Sequence, residues 1–227
     1  MTAEAYHALT KAPAGRGPLV FAFHGTGGDE AQFFDLAQEL VPGGGVVSPR
    51  GDILERGASR FFRRTGEGVY DMQDLARATA KMAGYVDGWT RRYPYREVYG
   101  FGYSNGANIL AAVMMKRPDL FDRVGLLHPL IPWSPAPAPG LRARKLLITA
   151  GRRDPICPWP MTERLVTWSR AQGAEVTTSV HNGGHELRRE ELVALSALLT
   201  RTDGDEGRAL YGESGGVGAS AEPLVRP

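Results

Sequence analysis

The stretch Glu97-Val98-Tyr99-Gly100-Phe101-Gly102-Tyr103-Ser104-Asn105-Gly106-Ala107 decides the fold. A short apolar run leads into a Gly-x-Ser-x-Gly pentapeptide, and the apolar residues 108–115 that follow have the pattern of a helix. A serine between a strand and a helix is typical of the nucleophile elbow of an α/β-hydrolase, where larger residues than the two glycines would collide. The stretch therefore predicts that Ser104 is a nucleophile, raised above a sheet near the positive end of a helix.

The same residues allow a second interpretation. Gly100, Gly102 and Gly106, lying between a strand and a helix, could form the phosphate-binding loop of a dinucleotide-binding fold. Such a fold places an acidic residue about 20 residues further on, at the end of its second strand. Asp119 and Asp122 lie near that distance but precede the next predicted strand. The stretch therefore favours the nucleophile, and a nucleotide-dependent oxidoreductase is the least favoured alternative.

The composition is that of an ordinary globular protein. The chain has 227 residues, 42% of them hydrophobic and 23% charged, and a formal net charge of +2. Its arginine pairs are scattered rather than clustered with aromatic residues, so we do not expect a nucleic-acid partner. The single cysteine, Cys157, excludes an intrachain disulfide, and neither a signal-peptide pattern nor a membrane-spanning apolar run is present. We expect a cytoplasmic monomer or homodimer without membrane insertion.

Apolar runs alternate with helical spacings along the chain. Besides the elbow strand, the sequence predicts strands at residues 19–23, 46–48, 124–127, 145–150 and 176–180. This alternation predicts an α/β fold with a mainly parallel sheet of about six to seven strands, helices on both faces and no large cap domain. Residues 53–70 are predicted to form a long functional loop. We expect the domain to span residues 1–202 and residues 203–227 to be a disordered tail.

Three residues that could form a catalytic triad each follow a predicted strand. A serine hydroxyl needs a base within hydrogen-bond reach and a third group that orients the base. In α/β-hydrolases these groups follow in the chain order Ser, Asp or Glu, His. Ser104, Asp154 and His185 occur in this order, each just beyond the carboxyl end of a predicted strand. Because these ends share one edge of a parallel sheet, we expect the three side chains to meet there.

Each of these assignments has an alternative. His181 competes with His185 as the base, but its place next to a strand is typical of a packed ring. Asp154 could instead be a turn residue paired with Arg152 or Arg153. The two histidines could suggest a metal site, but no third ligand accompanies them at a suitable spacing. We therefore expect neither a metal nor a cofactor.

Acyl transfer also needs N–H donors for the developing oxyanion. The amide of Asn105, directly after the nucleophile, is one candidate. The amide of Thr26, in the glycine-rich loop after the first apolar strand, is the other. His24 is expected to hold that loop, and the sequence around His7 and His128 indicates no role for either.

Together these motifs resemble the phospholipase/carboxylesterase branch of the α/β-hydrolases, which includes acyl-protein thioesterases and bacterial carboxylesterases induced by hydroquinone stress. The likeness is greatest to the last group and covers residues 19–199. The matching motifs are His24-Gly25-Thr26-Gly27-Gly28-Asp29-Glu30, Pro49-Arg50-Gly51-Asp52, Arg60-Phe61-Phe62-Arg63-Arg64, Gly102-Tyr103-Ser104-Asn105-Gly106-Ala107-Asn108, Asp154-Pro155-Ile156-Cys157 and Gly184-His185. The resemblance implies the same nucleophile, acid, base and oxyanion-hole amides as the spacing does.

In such a fold the segment 60–64 would lie at the active-site edge. We expect an arginine there, Arg63, to bind a substrate carboxylate, while Phe61 or Phe62 lines the pocket. Ile156 and Trp133 are further expected substrate contacts. A solvated arginine with buried phenylalanines is an equally favoured interpretation.

The leading functional hypothesis is a serine carboxylesterase without a cofactor. It would cleave small-molecule esters with short acyl chains through an acyl-enzyme on Ser104. A thioesterase or lysophospholipase of the same family is an alternative. A catalytically silent scaffold that only binds a ligand is another, because a fold does not dictate a function.

Overall fold

The computed structural model describes residues 6–94 and 96–200, so the predicted tail at 203–227 lies outside the described residues. The strands are β1 Ala8–Lys11, β2 Leu19–Phe23, β3 Gly45–Pro49, β4 Ile53–Glu55, β5 Ala58–Arg60, β6 Arg64–Gly66, β7 Val69–Tyr70, β8 Val98–Tyr103, β9 Arg123–Leu127, β10 Lys145–Gly151 and β11 Glu175–His181. The helices are α1 Phe34–Leu40, α2 Met72–Thr90, α3 Asn105–Lys116, α4 Trp159–Ala171 and α5 Arg189–Thr200. Short 3₁₀ turns lie at Pro118–Leu120 and Pro139–Leu141.

Seven strands form one central sheet in the order β1-β3-β2-β8-β9-β10-β11. Strand β1 pairs antiparallel with β3 at one edge, and the other neighbouring strands pair in parallel. All five residues of β2 are buried, as expected for a continuously apolar strand covered on both faces. The mainly parallel sheet confirms the predicted α/β fold class.

Helices cover both faces of this sheet. Helices α1 and α5 contribute Ala37, Leu195 and Leu199 to the core on one face. On the other face, α2 and α3 supply Met82 and Ile109, and α4 packs there as well. With both faces occupied, substrates can reach the sheet only along the edge where the strands end.

Residues 53–70 are not the irregular loop that the sequence predicts. They form two small antiparallel hairpins, β4 with β5 and β6 with β7. Arg56 and Gly57 turn the first hairpin with φ values of 50° and 85°, as two-residue hairpin turns require. Strands of two or three residues are too short for an alternating pattern to show in the sequence. No helix in the described ranges has both the length and the apolar character needed to cross a membrane.

Candidate active site

Ser104 lies in a strained turn between β8 and α3. Its φ of 51° and ψ of −114° place a non-glycine residue in a sparsely populated region, which costs on the order of 1–3 kcal/mol. The turn is held by hydrogen bonds from the Ser104 amide to Leu127 O at 2.9 Å and from the Asn108 amide to Ser104 O at 2.9 Å. A Cβ on Gly102 would lie 2.6 Å from the carbonyl carbon of Gly106, so the turn closes only with glycine there.

At Gly106 the start of α3 lies even closer to the neighbouring backbone of β2. Replacing Gly106 therefore tests the strand-to-helix turn. A Cβ at this position would lie 2.3 Å from the carbonyl oxygen of Phe23 in β2, so Gly106→Ala forces α3 away from the sheet. We expect Gly106→Ala to lower the melting temperature by several degrees and esterase turnover by more than about 100-fold.

The matched control is Gly84→Ala in the middle of α2. Gly84 is exposed, and apart from the neighbouring residues and backbone of its own helix nothing lies within 4 Å of the position its Cβ would take. Alanine there should raise the free energy of unfolding by about 0.5–1 kcal/mol and leave turnover unchanged. Thermal melting and p-nitrophenyl acetate assays measure both effects. A Gly106→Ala protein as stable and active as the wild type would contradict the close approach.

The structure brings the three predicted triad residues together. His185 Nε2 lies 3.0 Å from Ser104 Oγ, and His185 Nδ1 lies 2.7 Å from Asp154 Oδ2. The Tyr103 hydroxyl donates a 2.6 Å hydrogen bond to the His185 carbonyl, and its ring lies against the His185 ring at 5.2 Å. The side chain of His185 is 17% exposed, so the ring is packed on one side and accessible on the other.

Asp154 is held in place by more than its contact with the base. Its Oδ1 accepts the amide hydrogens of Ile156 at 2.8 Å and Cys157 at 2.9 Å. Burial of the carboxyl opposes its ionisation, but hydrogen bonds from His128 and His185 outweigh burial and hold the pKa of Asp154 well below its ordinary value. Asp154 is therefore an anion at neutral pH, as the orienting acid of a triad must be.

His128 contacts the triad, although the sequence indicated no role for it. The residue directly follows β9, and its fully buried ring places Nδ1 2.9 Å from Asp154 Oδ2. Its Nε2 lies 3.0 Å from Oε1 of Glu191 on α5. His128 follows a strand at the carboxyl edge just as Asp154 does, and that position was the signal that could have identified it.

Two groups of side chains have the residue types of a metal site. His128, His181 and Glu191 form one, and His128, Asp154 and His185 form the other. Within the first group, His181 Nδ1 accepts the Gly183 amide hydrogen at 2.9 Å, so the ring proton sits on Nε2. That nitrogen faces Glu191 Oε2 at 3.2 Å and has no lone pair for a metal. In the first group this arrangement favours a polar contact between His181 and Glu191 over a metal ion.

The loop carrying Thr26 and the first turn of α3 both border the open space beside Ser104. Asn105 is the first residue of α3, where amides have no partner within the helix. The Asn105 side chain accepts the Phe61 amide hydrogen at 2.8 Å, and Arg60 Nη1 donates to Thr26 Oγ1 at 2.8 Å. Arg60 and Phe61 therefore help to fix the positions of Thr26 and Asn105, the two residues predicted to form the oxyanion hole. His24 holds the same loop, since its Nε2 accepts the Gly51 amide hydrogen at 2.9 Å.

A cavity of about 320 Å³ opens beside Ser104. Its lining combines the predicted catalytic residues with polar, charged and apolar side chains: Thr26, Arg60, Arg64, Glu67, Gly68, Tyr70, Tyr103, Ser104, Asn105, Asn108, Leu130, Ile156, Cys157 and His185. Both arginines are already paired with separate glutamates, because Glu55 lies 3.3 Å from Arg60 and Glu67 lies 2.7 Å from Arg64. The cavity therefore presents little unbalanced positive charge to a substrate.

Of the predicted substrate contacts, only Ile156 lies in this lining. Phe61 and Phe62 are fully buried, with the Phe61 ring packed against His24 and the Phe62 ring against Tyr70. Arg63 is exposed outside the cavity, where its amide donates to Asp74. Trp133 lies behind Tyr70, with ring centroids 6.2 Å apart. The structure does not bring these four side chains into the cavity.

A mainly parallel sheet with helices on both faces and a serine in a strained strand-to-helix turn defines the α/β-hydrolase class. Comparison with known proteins agrees with this class. The chain is 33% identical over 175 residues to the protein named "Putative hydrolase MhqD" from Bacillus subtilis (strain 168), covering 76% of this chain and 88% of that protein. No family model matches the chain.

Solved structures extend the comparison. The chain is 49% identical to protein Atu2452 of unknown function from Agrobacterium tumefaciens str. C58, with a TM-score of 0.82 over 88% of this chain and 98% of that one. It is 30% identical to the Bacillus cereus carboxylesterase, with a TM-score of 0.79 over 86% and 94%. The chain belongs to the phospholipase/carboxylesterase branch of the α/β-hydrolases, which confirms the resemblance seen in its motifs. It is accordingly a hydrolase of the esterase type.

Proposed function

We propose that the protein is a serine carboxylesterase that cleaves small esters through an acyl-enzyme on Ser104. The observation that carries the proposal is the unbroken series of contacts from Ser104 Oγ to His185 Nε2 and from His185 Nδ1 to Asp154 Oδ2. A serine hydroxyl is a weak nucleophile by itself, and this arrangement supplies the base and the group that orients it.

In the first half of the reaction, Ser104 Oγ attacks the ester carbonyl while His185 Nε2 takes its proton. The carbonyl oxygen becomes an anion, and we assign the amides of Thr26 and Asn105 as the donors of hydrogen bonds to it. The bond to the alcohol oxygen then breaks, and His185 gives its proton to the leaving alcohol. Asp154 stabilises the imidazolium that exists between these two transfers.

In the second half, a water molecule attacks the acyl carbon and His185 again takes the proton. The tetrahedral intermediate collapses by releasing the carboxylic acid, and the proton returns to Ser104 Oγ. Ser104 lines the cavity, which supports this step because water must reach the acyl carbon from the face that the alcohol has left.

The cavity supports a preference for small, uncharged acyl groups. Its volume of about 320 Å³ lies at the lower end of ligand pockets, which typically measure about 300–1,000 Å³. Leu130 and Ile156 offer apolar contact, whereas the neighbouring arginines are paired with Glu55 and Glu67. We therefore expect short neutral esters to be better substrates than esters with long chains or a second carboxylate.

A probe and a substrate panel test this proposal together. We expect a fluorophosphonate probe to label the protein at Ser104 and p-nitrophenyl acetate or butyrate to give the highest kcat/KM. p-Nitrophenyl octanoate should give a kcat/KM at least about tenfold lower, and thioesters and lysophospholipids of matched acyl length serve as comparison arms. A thioester or lysolipid preferred over every ester would reassign the substrate class. Failure of the probe to label the folded protein would indicate a scaffold without turnover.

A further inference from the structure

His128 occupies a buried and strained position directly beside the triad acid. Its side chain is 0% exposed and its backbone φ is 50°, a value that residues other than glycine rarely adopt. The His128 amide donates to the carbonyl of Thr149 in β10 at 3.2 Å. Strain of this kind persists where the surrounding contacts hold it, and it concentrates at functional sites.

Both ring nitrogens of His128 face carboxylates. Nδ1 lies 2.9 Å from Asp154 Oδ2, the same oxygen that His185 contacts, and Nε2 lies 3.0 Å from Glu191 Oε1. The second contact has the distance of an ion pair but lacks the alignment of a hydrogen bond. A neutral imidazole carries one N–H and would turn a lone pair toward one of the two carboxylates. While both carboxylates are ionised, only the imidazolium satisfies both sides.

Glu191 is arranged to remain the anionic partner. Its Oε2 accepts the Arg188 amide hydrogen at 2.8 Å and lies 3.2 Å from the Nε2–H of His181. Burial disfavours its ionisation, but the neighbouring His128 outweighs burial and lowers the pKa of Glu191. A buried carboxylate with these partners holds a positive charge on the ring between itself and Asp154.

We propose that His128 is an imidazolium at neutral pH that positions Asp154 and, through its charge, sets the lower pH limit of esterase activity. This inference rests on the proposed function, since it assigns to His128 an effect on the same triad. His128 does not touch the reacting atoms, so it is a positioning residue rather than a catalytic one.

The effect on His185 follows from charge and distance. The two rings lie 5.2 Å apart, so a positive charge on His128 acts on the ring of the proposed base at short range. The titratable and charged groups that face His128 from the surrounding elements are Asp154, Glu191, His181, His185, Tyr103 and Cys157. Burial alone would lower the pKa of His128, but Asp154 and Glu191 outweigh burial and raise it to about 9.

The charge on His128 can be observed directly in the wild-type protein. The chain contains five histidines, so ¹⁵N-histidine labelling gives a spectrum of five rings. We expect one ring to have both nitrogens protonated at pH 7.5, and its signals to be missing from the His128→Asn protein. A wild-type spectrum at this pH in which His128 carries a single ring proton would overturn the proposal, whether or not any variant folds.

The pH dependence of esterase activity separates a charge effect from a structural one. Asparagine tolerates a positive φ and keeps an N–H donor for Asp154, but it carries no charge. His185 must be unprotonated to act, and loss of the nearby positive charge favours its protonated form. We therefore expect the acid limb of the kcat/KM profile of His128→Asn to move to higher pH by about one unit.

The control is His7→Asn, which changes a histidine whose side chain is 70% exposed and should leave the profile unmoved. A folded His128→Asn protein with reduced activity at every pH and an unshifted acid limb would show that the role is structural only, which would overturn the proposal. Fluorophosphonate labelling of the wild type tests the proposed function separately. If the probe labels the wild type but the acid limb of His128→Asn is not shifted, only the inference about His128 is rejected.

Stability against pH provides a second readout of the same charge. Because the pKa of His128 is raised from about 6.5 in the unfolded chain to about 9, its ionisation contributes stability that is fully present below pH 6.5. That contribution is lost as the pH rises through about 9. We expect the free energy of unfolding of the wild type to fall relative to His128→Asn between pH 6.5 and 9.5, as measured by urea denaturation. A difference that stays constant over this range would contradict a charged His128.

Discussion

Ser104→Ala is expected to lower kcat for p-nitrophenyl acetate by roughly 10⁴- to 10⁶-fold and to abolish labelling by a fluorophosphonate probe. The reason is that the proposed reaction passes through a covalent bond to Ser104 Oγ, and in the part of the chain that the structure describes no other hydroxyl is hydrogen-bonded to the ring of His185. Residual catalysis would come from the oxyanion amides and from binding alone.

The control for this variant is Ser134→Ala, which removes an exposed hydroxyl remote from the cavity lining and should change neither turnover nor labelling. Alanine has the same backbone restrictions as serine, so Ser104→Ala should fold and melt close to the wild type. Retention of most of the turnover by a folded Ser104→Ala protein would refute the acyl-enzyme mechanism. Turnover without probe labelling of the wild type would refute it as well.

The strands and helices of the central fold could be predicted because each has a pattern in its own stretch of sequence. The run 19–23 is apolar throughout, and the structure buries every residue of β2. Asp71 precedes the apolar spacing of α2, and its side chain accepts the amide hydrogens of Gln73 and Asp74 as an N-cap. The hairpins within residues 53–70 escaped prediction because their strands are too short to carry a pattern.

Site residues could be predicted only where a residue type suited to catalysis follows the end of a strand. Ser104, Asp154 and His185 each follow a strand and stand in a known chain order, so their meeting could be anticipated. His128 also follows a strand, but its meaning depends on Glu191, which lies 63 positions further along the chain and reaches it from α5. Chain order does not encode such a contact between side chains. The same holds for Arg60, whose contact with Thr26 joins strand β5 to the loop that follows β2.

The second large effect is expected at His185. His185→Ala removes the base that contacts Ser104 Oγ at 3.0 Å, so Ser104 loses the acceptor for its proton during attack and the donor for the leaving alcohol. We expect kcat for p-nitrophenyl acetate to fall by roughly 10⁴-fold or more and the rate of fluorophosphonate labelling to fall with it. Because the missing ring faced the cavity, added imidazole should restore part of the activity.

His181→Gln is the informative comparison, because His181 was the competing candidate for the base. Its Nδ1 is occupied by the Gly183 amide and its Nε2 faces Glu191, so neither nitrogen is directed at Ser104. We expect this variant to lose stability through its buried contacts while keeping kcat within about tenfold of the wild type. If His181→Gln were inactive although folded, and His185→Ala retained turnover without added imidazole, the base would have to be reassigned. Because only the His185 ring is directed at Ser104, we expect the turnover of His185→Ala and that of His181→Gln to differ by several orders of magnitude.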